Sequence, residues 1–427
     1  MRRKVFVFFL ALVAGGVLMS PPVLSVGQTA EAPAGGFRDV PETHWARETI
    51  EKAVQLGIVE GYPDGRFGPE DIVQADQLLA MIYRAHIREY TDSNGNIRRD
   101  WDKEWFDRAE AYQPGFTWKL VNAVITTGFE FQAAKTGYWA QPFIDLAYES
   151  GYLSRYSTAF PPTYDFRKPI TREQASYLLG AWYSRYEFNY LPSYKEYALD
   201  QIGLKDLSDF SLSEVGDYRA AVMLAGLMQG WNDRFYPKRY VTRAEAVTMV
   251  LRLRDPSLRT PFVPDLTGVC HTVSTLGEIE IFDDLEKCRI AKEIIDLARK
   301  TPVTGFVEYG NTGVSIYMDQ QEFEKTKRDT KMGIFDSPHK AGFGLSVNPY
   351  QDPQILLIYT NEAAETYAKE FYLASLDYLS GGRGDDMLRE IQQAESGWDG
   401  DVTFTVNGRQ FTFRKVEDDR EIFYEYH

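Results

Sequence analysis

The chain has 427 residues, enough for two or three domains, and is 44% hydrophobic, 14% aromatic and 26% charged, a globular composition. Its formal net charge of −15 argues against nucleic acid as a partner and against nonspecific attachment to anionic membranes or anionic wall polymers. An anionic ligand must therefore be held in a local basic pocket.

Arg2, Arg3 and Lys4 precede a run of apolar residues and glycines from Val5 to Met19, which Ser20-Pro21-Pro22 breaks. The run is short for a membrane span and reads as an export signal within residues 1–32, cleaved after Ser25 or after Ala32. No Cys follows for a lipid anchor, and no later stretch is apolar enough to cross a bilayer. The expectation is a secreted protein with no membrane span once the signal is removed. Cys270 and Cys288 are the two cysteines. In a secreted chain they suggest a disulfide, which contributes about 3 kcal/mol for a loop of this size. The alternative is a pair of buried thiols, since Cys288 shares an apolar face with Leu285, Ala291 and Ile295.

From Phe37 to Arg84 the chain reads as two short helices around a turn. Phe37-Arg38-Asp39-Val40 leads to Trp45, then to a helix with Ile50, Ala53 and Val54 on one side, ended at Gly57. The segment from Gly61 to Pro69, GYPDGRFGP, has turn chemistry at nearly every position. A phrase then recurs down the chain. Thr242-Arg243-Ala244-Glu245 opens a helix with a capping box, Thr242 to Glu245, ahead of Val247, Val250 and Leu251. Thr171-Arg172-Glu173-Gln174 does the same ahead of Leu178, Leu179 and Trp182. A weaker copy is Ile72-Val73-Gln74-Ala75-Asp76, in which Gln74 is aligned with the arginine. Arg172 and Arg243 lie in first turns, where the helix dipole disfavours a cation, so each is a candidate for meeting a negative ligand.

These residues resemble the S-layer homology family. Its repeat runs Phe-x-Asp-Val, Trp, helix, Gly-Tyr-x-Asp-Gly-x-Phe-x-Pro, Ile-Thr-Arg-Ala-Glu and helix. Repeat one spans about 37–88, repeat two about 116–187 and repeat three about 204–254, with an insertion near 89–115. Repeat two keeps Trp139, Ile144, Ala147 and Gly151 but lacks the head and the glycine-rich turn. Repeat three reads Leu204-Lys205-Asp206-Leu207, with Tyr218 where Trp is expected. The resemblance covers about half the chain. It implies a mainly α, pseudo-threefold three-repeat module over 37–257 that docks on a secondary cell-wall polysaccharide, often one carrying pyruvylated amino sugars. Arg172 and Arg243 would take a ketal carboxylate as a fork. Trp45, Trp139 and Tyr218 would stack on sugar rings, and Asp39 and Asp206 would accept from hydroxyls. The bland alternatives are an aromatic seal for Trp45, helix caps for the two aspartates and internal ion pairs for the arginines. Fewer than three working grooves are expected, because repeat one has lost the charge and repeat two its head.

Within the insertion, Asp92-Ser93-Asn94-Gly95-Asn96 and Asp100 have the alternating oxygens of a calcium loop. Ile97 in place of the turn glycine and the missing final Glu favour an ordinary polar loop. Beyond Leu258, Pro261 and Pro264 mark a linker. Residues 262–427 read as an α+β domain: a helix over 283–300, strands over 305–309, 313–318, 343–347 and 354–360, and a long helix capped by Asn361 and stopped by Gly381-Gly382. A hairpin follows, turning at Asn407-Gly408. No cofactor or catalytic motif stands out in it. The leading reading is a non-catalytic protein at the cell wall or S-layer, displaying its C-terminal domain for adhesion, envelope assembly or ligand binding. The alternatives are a wall-anchored enzyme acting on glycan or peptidoglycan, and degenerate repeats that scaffold another protein. A pocket lined by paired carboxylates would favour the enzyme.

Overall fold

The computed structural model describes residues 36–91, 97–112, 137–211, 215–332, 341–350, 354–396, 400–416 and 418–425. The export signal, most of the calcium-like loop and the start of repeat two lie outside the described residues. Two hydrophobic cores organise the chain, one built from residues between Phe37 and Leu253, the other from residues between Phe282 and Ile422.

The first core is helical. It comprises α1 (Arg47–Gln55), α2 (Ala75–His86), the hairpin of β1 (Ile87–Thr91) and β2 (Ile97–Trp101), α3 (Lys103–Tyr112), α4 (Gln141–Glu149), α5 (Arg172–Tyr186), α6 (Pro192–Ile202), α7 (Val215–Leu224) and α8 (Arg243–Arg254). The described part of the insertion is thus the two strands of a hairpin and a helix. Its Trp105 is fully buried, and His86 lies between Trp105 and Trp182 with ring centroids 4.6 and 4.8 Å away.

The segments entering α2, α5 and α8 meet at the centre. The Val73 N–H donates to Val241 O (3.0 Å), the Val241 N–H to Ile170 O (3.0 Å) and the Ile170 N–H to Val73 O (2.9 Å), which closes a ring. All three following residues are extended N-caps, with φ/ψ of −85°/159° at Gln74, −81°/163° at Thr171 and −83°/162° at Thr242. Each carries a complete capping box, closed by Gln77, Gln174 and Glu245. This geometry corrects the alignment of the weak copy. Gln74 replaces the capping threonine, and it is Ala75 that stands where the others have Arg172 and Arg243.

The second core is a seven-stranded antiparallel sheet of β5 (Phe306–Tyr309), β6 (Gly313–Tyr317), β7 (Phe343–Val347), β8 (Gln354–Tyr359), β9 (Val402–Val406), β10 (Arg409–Val416) and β11 (Asp419–Glu425), in the order β5-β6-β7-β8-β11-β10-β9. Helices α9 (Leu285–Lys300), α12 (Lys369–Ser380) and α13 (Gly384–Ser396) cover one face, while α10 (Gln320–Met332) stacks Phe323 on Phe306 at the β5 edge. β8 is the fourth of seven strands, as its apolar run predicts, but its burial alternates. The expected long helix is two: α11 (Asn361–Glu365), capped by Thr360 rather than Asn361, and then α12. Asn407 (φ 52°) and Gly408 (φ 76°) form the hairpin turn. Cys270 and Cys288 are joined by a disulfide, which ties the small hairpin of β3 (His271–Val273) and β4 (Ile279–Ile281) to α9.

The proline segment is no free linker. The Thr260 N–H donates to Gly226 O (3.4 Å) and the Phe262 N–H to Met223 O (3.1 Å). Gly226 is required there, since a Cβ on it would lie 2.4 Å from Thr260 backbone. Arg259 and Glu187, both nearly buried, pair at 2.7 Å. Ile279 and Ile281 pack on the first core, and the Ile281 N–H donates to Ser193 Oγ (3.1 Å) on α6.

Candidate functional site

Each capped helix lays its first turn on the turn segment of another repeat. The Arg243 and Ala244 N–H groups donate to Asp71 O and Pro69 O, so α8 docks on repeat one. In the same way α5 docks on repeat three, through Arg172 N–H to Arg239 O and Glu173 N–H to Pro237 O. Helix α2 docks on repeat two, through Ala75 N–H to Lys168 O and Asp76 N–H to Phe166 O. Three grooves result, and the matched contacts make Asp71 and Arg239 counterparts, as they do Pro69 and Pro237.

In the α8–repeat one groove, the Arg243 guanidinium carbon lies 4.8 Å from the Phe67 ring and 5.1 Å from the Tyr62 ring. One terminal nitrogen donates to Glu60 O, and Nε is buried without a hydrogen-bond partner. Burial holds its pKa below the usual value, opposed by Tyr62, Asp71 and Glu60 acting without ion-pair contact. The Asp71 carboxylate is turned to the Tyr62 hydroxyl (3.0 Å). Arg243 is therefore a partly desolvated cation with no ion-pair partner among the described residues.

In the α5–repeat three groove, Arg172 is engaged on every side. Nε donates to Phe235 O (2.8 Å), Nη2 donates to Gln229 O (2.7 Å), and Nη1 stands 3.7 Å from Glu245. Burial pulls its pKa down to about 10, with Glu245 opposing. Lys238 pairs with Glu173 (2.6 Å) and Arg239 with Glu245, so the groove's surface cations are also matched. Glu245 closes the capping box of repeat three; the same position in repeat one is Gln77. A neutral amide in place of a carboxylate is one of the differences between the surroundings of the two arginines.

The α2–repeat two groove has no arginine at the helix start. Asp76 is buried there, accepts from the Tyr138 hydroxyl (2.7 Å), and has its pKa raised by burial. A carboxylate at this place disfavours an anion.

The other expected residues divide. Trp45 is 62% exposed, so it is no aromatic seal, and Trp139 is 38% exposed. Tyr218 is half-buried in the crossing of α5 and α7, 5.1 Å from Tyr177. Asp39 accepts from the Phe67 and Gly68 N–H groups (2.8 Å each), and Asp206 from those of Phe235 and Tyr236 (2.8 and 2.7 Å). Neither caps a helix; both pin a turn, and Gly68 and Tyr236 are counterparts. Trp231, 70% exposed beside Tyr236, was not singled out by sequence reasoning, although its place after Gly230 matches that of Tyr62 after Gly61.

The open face of the C-terminal sheet holds a concavity of about 420 Å³, lined by Ser315, Gly344, Ser346, Leu356, Ile358 and Asp419 among others. Asp419 is the one carboxylate in its lining among the described residues. Among the described residues no helix is long and apolar enough to cross a membrane.

The family model for the S-layer homology domain matches residues 36–73 and 221–247. The chain carries S-layer homology domains. Cell surface glycoprotein 1 of Acetivibrio thermocellus is 48% identical over 42 residues, 10% of this chain and 2% of that protein. The S-layer protein sap of Bacillus anthracis is 26% identical over 244 residues, 57% of this chain and 23% of that one. Exoglucanase XynX of Acetivibrio thermocellus is 26% identical over 226 residues, 52% of this chain and 16% of that one. The chain thus spans less than a quarter of the length of each of these relatives. S-layer homology proteins are secreted and held at the cell wall, and this chain is a cell-surface protein of that kind.

Proposed function

We propose that residues 37–257 form a pseudo-threefold S-layer homology module that anchors the protein to a secondary cell-wall polymer, with the α8–repeat one groove as its anionic subsite. The ring of hydrogen bonds through Val73, Ile170 and Val241, and the docking of each capped helix on another repeat, support the threefold arrangement. The observation that carries the assignment is Arg243, a guanidinium held between Phe67 and Tyr62 with no ion-pair partner among the described residues. A sugar carboxylate, such as a pyruvyl ketal, would supply the missing counter-ion as a fork. Trp45 and Trp139 offer exposed rings for stacking, while Asp39, Asp206, Arg172 and Tyr218 shape the framework. Residues 262–427 form a display domain, fixed by the strap over Gly226 rather than freely tethered. Among the described residues its concavity is lined by a single carboxylate, Asp419, where glycoside hydrolysis commonly uses a facing pair.

The test is co-sedimentation of the mature chain with native and hydrofluoric-acid-stripped wall sacculi. Wild type should pellet with native walls and stay soluble with stripped ones. Arg243→Gln should lose at least tenfold in affinity for native walls. Equal pelleting of Arg243→Gln and wild type would refute the assignment.

A further inference from the structure

We propose that the turn of repeat three is a second, charge-independent glycan subsite, in which Trp231 and Tyr236 present a stacking platform to a neutral sugar ring. The inference rests on the wall-polymer reading above and adds to it a subsite that works without the arginine fork.

The matched turns of repeats one and three differ. In repeat one, Gly68 has φ 73°, and a Cβ there would lie 2.8 Å from Tyr62 Cε2. Tyr62 lies over that glycine and is tied down by its hydroxyl to Asp71. In repeat three the matched residue is Tyr236, which keeps the left-handed backbone at φ 58°. A bulky side chain is strained in that region, where glycine is not. Asn232 (φ 50°) and Asp233 (φ 56°) share it, so three non-glycine residues of one turn are left-handed. The half-buried Tyr236 ring packs on Trp231 (centroids 5.8 Å), itself 70% exposed. Strain kept at a half-buried tyrosine beside an exposed tryptophan points to a ligand.

The backbone beneath the two rings is held by hydrogen bonds. Asp206 holds the Phe235 and Tyr236 N–H groups, Arg172 holds the Gln229 and Phe235 carbonyls, and the Trp231 N–H donates to Arg234 O (2.7 Å). Arg172, whose guanidinium is occupied, thereby acts as a positioning residue for the platform. The two neighbouring rings, tilted 40° to one another, present apolar area to the face of a pyranose. The adjacent Asn232, Asp233 and Arg234 are exposed and within the same turn, placed to serve its hydroxyls.

The test uses the mature chain and native wall sacculi at about 0.1 M and about 1 M salt, where the Debye length falls from roughly 10 to 3 Å. Wild type should keep measurable binding at the higher salt. Trp231→Ala and Tyr236→Gly should each weaken that salt-resistant binding about tenfold, while Tyr236→Gly keeps or raises the melting temperature because strain is relieved. Wild-type binding by both variants at high salt overturns the platform. So does a fall in melting temperature for Tyr236→Gly that accompanies lost binding, which would make the tyrosine structural. Arg243→Gln in the same assay should lose only the salt-sensitive part; an unchanged result there refutes the anionic subsite and leaves the platform standing. No wild-type pelleting at either salt overturns both.

Discussion

The α8–repeat one and α5–repeat three grooves begin from the same phrase, threonine, arginine and a capping residue, and end with different chemistry. Arg172 is spent on two carbonyls, the Phe235 ring and a nearby glutamate, whereas Arg243 has one carbonyl and the rings of Phe67 and Tyr62. Neither difference lies in the motif that carries the arginine. It lies in the repeat each helix docks on: Glu245 against Gln77 at the capping box, and Tyr236 against Gly68 in the turn. A binding motif in an intertwined repeat is completed, or cancelled, by its neighbour.

The largest expected effect separates the arginines by stability. Arg172→Ala strands two buried carbonyls and should cost about 3 kcal/mol in urea unfolding, with Arg243→Ala nearer 1 kcal/mol. Equal losses would break the comparison.

Acid sharpens it, because the shared core must be held constant while the grooves are compared. His86 is buried against Trp105 and Trp182, and burial lowers its pKa from 6.5 to about 3. The unfolded chain binds the proton more readily, so this stabilisation is complete above pH 6.5 and is lost as pH falls towards 3. Relative to His86→Phe, wild type should lose about 1.4 kcal/mol per pH unit across that window. Parallel pH curves for the two proteins would contradict the assignment. Binding assays at neutral pH avoid the effect.

A smaller effect concerns the caps. Thr242→Ala and Thr171→Ala should each cost about 1 kcal/mol by thermal melting. If either cost nothing, the capping boxes would not be what fixes the arginines at the groove.

Much of this was legible in the sequence. The turn and helix signals of repeat one, the Thr242–Glu245 and Thr171–Gln174 boxes, the strands and the Asn407-Gly408 hairpin follow from local spacing. What escaped has a common cause in non-local contact. Gln74 looked like a lost arginine because glutamine is a weak capping residue by propensity, yet the closed ring through Val73 forces it into the cap. Pro261 and Pro264 read as a linker because sequence does not reveal that Gly226 leaves room for the chain to pack back. β11 and α10 lacked clean periodicity, and their faces are set by the sheet they join. Trp231 stands where repeat one has Tyr62, but its exposure depends on how the turn folds and is not set by local spacing.

The most direct test of the central claim leaves both arginines in place. Gln77→Glu preserves the capping box and supplies the carboxylate that Arg172 already faces in Glu245. Native-wall sedimentation of this variant should fall about tenfold at unchanged or higher melting temperature. Full wild-type affinity for Gln77→Glu would show that an uncompensated Arg243 is not what holds the polymer.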